Sequence, residues 1–191
     1  MDEYRLYSIS DEYIEYLRKT QIHVFSNKIE NRVHGRKYIG VVLSIDGYYY
    51  FAPLSSPKNS DYMIKDGKKV IRKSIVPIIR MVDNGRNGQE LLGTIKLSNM
   101  IPVPPNELCR YDLNSEADAK YKNLVFKEVN FIRKNKDLIR RNAAILYGQK
   151  KAGDQSAGYL TNTLDFENLE SLCGEFIRSK QPEAEMAISA T

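Results

Sequence analysis

YIGVVLSI (38–45), DG (46–47) and YYYFAPL (48–54) decide the fold. Two β-branched and aromatic runs around a single Asp-Gly pair are the signature of an antiparallel hairpin with a type I′ turn, because both turn positions need positive φ. Pro53 ends the second strand, and Leu54-Ser55-Ser56-Pro57-Lys58 leaves the sheet. Upstream, YRLYSI (4–9) alternates as an opening strand does. Ser10 then stands at an N-cap position, with Asp11 and Glu12 where a helix dipole favours acid. Tyr13, Ile14, Tyr16 and Leu17 recur at three- and four-residue spacing, which predicts an amphipathic helix over 11–19, followed by a polar loop over 20–35.

Downstream of the hairpin, 59–73 reads as a polar, basic loop carrying Lys65, Lys68, Lys69, Arg72 and Lys73. Ile75–Val82 holds Pro77 and is expected as an edge or bulged strand. A glycine-rich turn over 83–88 precedes strands over Leu91–Leu97 and Met100–Val103, and Pro104-Pro105 stops the last. Six strands by residue 105 imply a compact, mostly antiparallel sheet or partial barrel. The period then changes: Ser115–Asn135, Asp137–Tyr147 and Leu164–Ile177 are expected as helices. The class is α+β, one domain over 1–180, with a small polar tail from Gln181 to Thr191 expected to be disordered.

The chain has 191 residues, long enough for a core without disulfides or metal. Its 29 Lys and Arg exceed its 24 Asp and Glu by five, which favours anionic partners, nucleic acid first. No run approaches the ~18 apolar residues of a membrane span, and the N-terminus shows no signal peptide, so a cytoplasmic protein is expected. Cys109, Cys173, His23 and His34 do not share metal-ligand spacing, so no metal is expected. Both cysteines read as buried structural residues and both histidines as idle loop residues.

Charge is uneven. Between Ala119 and Lys151 ten basic residues face two acidic ones, and the 65–73 segment adds a second basic patch. Solvated helix surface is the ordinary meaning of such a run. With thirteen tyrosines it also fits the basic, aromatic grooves that hold RNA. GxSxG, HExxH, P-loop and GxGxxG motifs are absent. What remains is Ser55-Ser56-Pro57-Lys58 at a strand end, where two hydroxyls and a cation could hold a phosphate. A turn capping the strand explains that stretch equally well.

YSISDEYIEYL (7–17), RKYIGVVL (36–43), YFAPLSSPK (50–58), LGTIKLSNMIPV (92–103) and YKNLVFKEVNFIRKN (121–135) resemble, in order and spacing, the ToxN/AbiQ family of type III toxin–antitoxin endoribonucleases. The resemblance implies a strongly twisted antiparallel sheet in a compact, Kid/MazF-like barrel with surrounding helices. It implies metal-independent, cofactor-free RNA cleavage leaving a 2′,3′-cyclic phosphate and a 5′-hydroxyl. The implied partners are a small structured, repeat-derived RNA antitoxin (a pseudoknot) in closed head-to-tail rings, and cellular or phage RNA substrates, in abortive infection.

By the same resemblance, the family's PL[ST]SPK motif falls on 53–58, so Ser56 is the essential serine, Ser55 the accompanying hydroxyl and Lys58 the motif lysine. Arg36 matches the basic residue ahead of the Ile-Gly strand, with Lys37 beside it, and Tyr13 matches the early helix tyrosine. Because arginine does not deprotonate, Arg36 is expected to stabilise charge, and the base that takes the 2′ proton is left open. Catalysis is thus expected at Ser56, Lys58, Ser55 and Arg36, and RNA binding at Tyr13, Lys37, Lys120, Lys122, Lys127, Lys65 and Lys68. The competing reading is a non-catalytic RNA-binding module with the same basic surface.

Overall fold

A computed structural model describes residues 4–28, 35–85 and 88–188, the last eight of these as backbone only. His34 and the end of the expected tail, 189–191, lie outside the described residues. Strand β1 (Arg5–Ile9) leads into helix α1 (Asp11–Arg18). The expected cap is present: Ser10 Oγ accepts from the Tyr13 backbone N–H at 3.1 Å. Strands β2 (Tyr38–Ile45) and β3 (Tyr48–Ser55) form the expected hairpin, with Asp46 and Gly47 at φ 48° and 82°.

β3 runs two residues past Pro53, where it was expected to end, and the ladder explains how. The Leu54 N–H donates to Lys37 O at 2.9 Å on the β2 side. Adjacent strand residues aim their N–H groups to opposite sides, so the nitrogen of Pro53 faces away from β2. On that side β3 changes partner: Tyr50 and Phe51 pair with β8 (Ile101–Pro102), whereas Leu54 and Ser55 pair with Ile95 and Thr94 of β7 (Gly88–Lys96). Pro53 occupies the handover, where no ladder bond needs its missing donor.

The 59–73 segment is not an open loop. β4 (Tyr62–Lys65) and β5 (Lys68–Ile71) form a second hairpin around Asp66 and Gly67, at φ 51° and 72°. This is the same Asp-Gly signal as at 46–47, obscured by lysines at the strand positions beside the turn. β6 (Ile78–Gly85) pairs with β7, and β9 (Leu108–Arg110), too short to show as a pattern, adds to β1. The seven-stranded sheet has the order β6-β7-β3-β2-β1-β9, with β8 beside β3. It ends in two edges, so of the sheet or partial barrel expected from strand count it is the open antiparallel sheet that forms, not a closed barrel.

Helix α2 (Ala119–Lys134), capped by Asp118, lies against β6 and β7, and α3 (Lys136–Lys151) lies against β2. α4 (Phe166–Ile188) packs on β8 and α1, and its backbone stays helical past Gln181. Tyr50 of β3, Tyr147 of α3 and Phe166 of α4 meet at ring distances of 5.7–5.8 Å. Glu170 Oε1 accepts from both tyrosine hydroxyls, at 2.7 and 2.9 Å, so the sheet and two helices share one polar tie. Among the described residues no helix is long and apolar enough to cross a membrane. Cys173 is buried as expected, but Cys109, on edge strand β9, is exposed.

One acid lies under the sheet. A Cβ on Gly93 would stand 2.8 Å from Glu128 Oε1 and 2.9 Å from Ser55 O, so only glycine admits the α2 carboxyl there. Burial without a counter-charge pushes Glu128 from 4.5 up to about 7. Its folded value exceeds its unfolded one, so ionisation costs stability progressively as pH rises through 4.5 to 7. Glu128→Gln should therefore melt like the parent at pH 4. It should gain up to about 3 kcal/mol above pH 7, as read from paired urea titrations.

Candidate active site at the end of the third strand

Ser55 is the last residue of β3, half-buried, and Ser56 is exposed just beyond it. On the β2 side stands Arg36, only 7% exposed. Its Nη1 donates to Leu54 O and its Nε to Ser26 O, both at 3.4 Å, and its guanidinium stacks on Phe25 at 4.5 Å. An aromatic face and two carbonyls hold this cation next to the serines without a carboxylate among those contacts. Lys37 follows it, with its ammonium 4.4 Å from the Tyr111 ring centroid.

On the other side the chain after Pro57 is held by Asp61. The Lys58 N–H donates to Asp61 Oδ2 at 2.9 Å, and the Asp61 N–H returns to Lys58 O at 2.9 Å. Asp61 itself is 2% exposed, and its Oδ1 meets Arg80 of β6 at 3.2 Å from Nε and 3.1 Å from Nη2. Arg80 Nη1 donates to Lys73 O at 2.7 Å, and the Arg72 N–H to Asp61 O at 2.9 Å. One buried ion pair thus anchors the Lys58 turn, the β4–β5 hairpin and β6 together. The Lys58 side chain is left exposed beside Ser56.

Register places further groups here. Thr94 pairs with Ser55 on one side and with Arg80 on the other, and Lys96 lies two residues along β7. Thr94 is fully buried, and its hydroxyl has no hydrogen-bond partner among the described residues. Burial pushes the half-buried Lys96 ammonium below the usual lysine range, Lys58 and Arg80 push the same way, and Asp61 opposes them.

Ser55, Ser56, Lys58 and Arg36, expected together from the sequence, converge on this strand end. The RNA-binding expectations divide. Tyr13 lies in the core, fully buried, with its hydroxyl donating to Pro102 O at 2.6 Å and its ring against Phe176 at 5.0 Å. Burial raises its pKa far above the usual phenol value, so it is a neutral packing group rather than a surface for RNA. Lys127 is matched by Asp83 at 3.0 Å and Glu90 at 3.1 Å. Lys122 donates to Asn114 O at 3.2 Å, whereas Lys120, Lys65 and Lys68 are exposed. Asp61, Arg80, Thr94 and Lys96 escaped sequence reading, because only strand pairing puts Thr94 and Arg80 in a row with Ser55 and Lys96 two residues along β7, and only the fold brings Asp61 to Arg80.

The site offers hydroxyls and cations to an anionic ligand, while its buried acid is already neutralised. That arrangement, in a small α+β protein, suits an anionic ligand. The chain belongs to the family described as Toxin ToxN, type III toxin–antitoxin system, whose model matches residues 5–173. It is 30% identical over 181 residues to endoribonuclease ToxN of Bacillus thuringiensis subsp. kurstaki, covering 92% of this chain and 85% of that one. To endoribonuclease ToxN of Pectobacterium atrosepticum it is 33% identical over 135 residues, 71% of this chain and 74% of that one. To endoribonuclease AbiQ of Lactococcus lactis subsp. lactis it is 31% identical over 169 residues, 87% and 86% of the two chains.

Solved structures agree. A toxin whose structure concerns selective inhibition by a non-coding RNA pseudoknot superposes with TM-score 0.72 at 30% identity, over 92% of this chain and 98% of that one. AbiQ, a lactococcal anti-phage endoribonuclease, superposes with TM-score 0.75 at 25% identity, over 93% and 99%.

The ion pair is the site's mechanical support, so removing one partner leaves a buried charge alone. Asp61→Ala should cost about 3–5 kcal/mol in urea unfolding. Adding Arg80→Met to it should recover much of that loss, since no unpaired charge then remains. A double variant no more stable than the single one would deny the pair its anchoring role.

Proposed function

We propose that this chain is an endoribonuclease toxin that cleaves RNA by transesterification and is inhibited by a small structured RNA. The observation that carries the reading is the convergence of Ser55, Ser56, Lys58 and Arg36 at the end of β3, in a chain whose relatives are named endoribonucleases. In the step inferred, the substrate's 2′-hydroxyl gives up its proton and its oxygen bonds to the adjacent phosphorus. The P–O5′ bond breaks and the leaving oxygen takes a proton, so the products are a 2′,3′-cyclic phosphate and a 5′-hydroxyl. Atoms balance with no added water, redox partner or protein nucleophile, and the reaction is proposed to need no metal.

Charge gathers on the phosphoryl oxygens in that transition state, and donors already aimed at it lower the barrier most. The Arg36 guanidinium is held before substrate arrives by the Phe25 stack and two carbonyls, and the backbone that carries the exposed Lys58 side chain is held by the Asp61 turn. Ser56 is open to the ligand and is assigned to hydrogen-bond the phosphate, with Ser55 behind it. Lys37, Lys120, Lys65 and Lys68 are proposed to hold RNA outside the reacting bond. Tyr13 acts only by supporting the core. The antitoxin is proposed to be a repeat-derived RNA pseudoknot, cut by the toxin and retained in a closed protein–RNA ring, with phage defence as the outcome.

The test is incubation of purified protein, freed of co-purifying RNA, with a mixed RNA pool in EDTA, followed by analysis of the 3′ ends. Cyclic-phosphate ends at a short recurring sequence are expected. Ser56→Ala should slow their appearance by ~10²–10³ and leave RNA affinity intact. RNA that shifts on a gel but stays whole would favour the binding module instead. Charge reversal at Lys120 should lower the salt slope of RNA binding by ~1, and reversal at Lys127 by less, since two carboxylates already neutralise it.

A further inference from the structure

We propose that Lys96, which no sequence motif marks, is a second lysine of the active site and holds the scissile phosphate together with Lys58; this rests on the nuclease reading above. The argument begins with register. Ser55, Thr94 and Arg80 form one cross-strand row over β3, β7 and β6. Directly paired residues point to the same face, and so do residues two apart on a strand. Lys96 therefore shares the face of Thr94, Ser55 and Arg80. The other face is apolar: Leu54, Ile95 and Ile79 are all in the core.

Charge on that face does not balance. Three cations, Lys58, Arg80 and Lys96, meet one carboxylate, Asp61. Asp61 is the one carboxylate that bears on Lys96 among the described residues, and its oxygens already hold the Arg80 guanidinium (Oδ1) and the Lys58 backbone N–H (Oδ2). The Thr94 hydroxyl, buried between Ser55 and Arg80, has hydrogen-bonding capacity that no described residue uses. A half-buried ammonium facing like charges is what an incoming phosphate oxygen stabilises most, because the anion replaces both the lost water and the missing counter-charge.

The cation must be protonated to act, and its surroundings shift it toward the neutral form. Cleavage should therefore fall as pH rises through the Lys96 titration, earlier than an ordinary lysine would dictate. Lys96→Arg keeps the charge and cannot deprotonate, so that alkaline limb should disappear. The facing groups Lys58, Arg80 and Asp61 are unchanged in this variant.

The experiment uses the full chain and a mixed pool of short single-stranded RNA. Lys96→Met, which keeps the apolar stem, should melt like the parent and cleave ~10²–10³ more slowly, while Lys96→Arg restores most of the rate. In a Ser56→Ala background, where RNA stays whole, Lys96→Met should lower the salt slope of binding by ~0.7–1. Parental rate and slope in Lys96→Met would overturn the proposal. So would slow cleavage with an unchanged slope and no rescue by arginine, which marks a structural residue. If the parent does not cleave at all, the nuclease reading falls, and the salt slope still decides whether Lys96 holds phosphate.

Discussion

The buried pair between Arg80 and Asp61 is the constraint on which the site depends. A carboxylate only 2% exposed must have its oxygens occupied, and here the occupants come from two different parts of the chain. Arg80 brings β6, and the Lys58 N–H brings the turn after β3. Asp61 O adds the hairpin through Arg72, and Arg80 Nη1 reaches back to Lys73. An isolated two-stranded hairpin is marginal in water, so β4–β5 needs this anchorage to hold its position. The loop that carries Lys58 is thereby fixed by the acid three residues later, not by its own sequence alone.

The same pair settles which positive charges are available. Asp61 holds Arg80 and a backbone N–H, and its pull on Lys96 does not outweigh that lysine's burial. On α2 the opposite holds, since Lys127 lies between Asp83 and Glu90. With Lys127 paired, ten basic residues in the α2–α3 segment overstate the field those helices present, whereas Lys58 stands exposed at the end of β3. Local pairing, more than count, sets where an anionic ligand is drawn.

Aromatic residues divide in the same way. Several tyrosines that suggested stacking surfaces for bases are core: Tyr13, Tyr38, Tyr50 and Tyr147 are buried. Tyr50 and Tyr147 share Glu170, and Tyr13 donates to a β8 carbonyl. Buried phenols need partners for their hydroxyls, and these partners tie helices to the sheet. Tyr62 and Tyr111, beside Lys69 and Lys37, are among those that remain partly open.

Local chemistry was legible from the sequence. The Asp-Gly turn at 46–47, the Ser10 cap, the helical periods after Ser115 and the Ser55-Ser56-Pro57-Lys58 block each depend on neighbours a few residues apart. The second Asp-Gly pair at 66–67 was legible too, but lysines on its strands looked like loop. What only the tertiary structure decided is cross-strand: the change of partner along β3, the open edges of the sheet, and the row Ser55–Thr94–Arg80 with Lys96 beside it. Those depend on register between residues 14 apart (Arg80 and Thr94), 39 apart (Ser55 and Thr94) and 52 apart (Tyr50 and Pro102), which alternation within one strand does not specify. The burial of Tyr13 belongs here as well, because a helix periodicity shows which residues share a face, not whether that face meets solvent or Phe176.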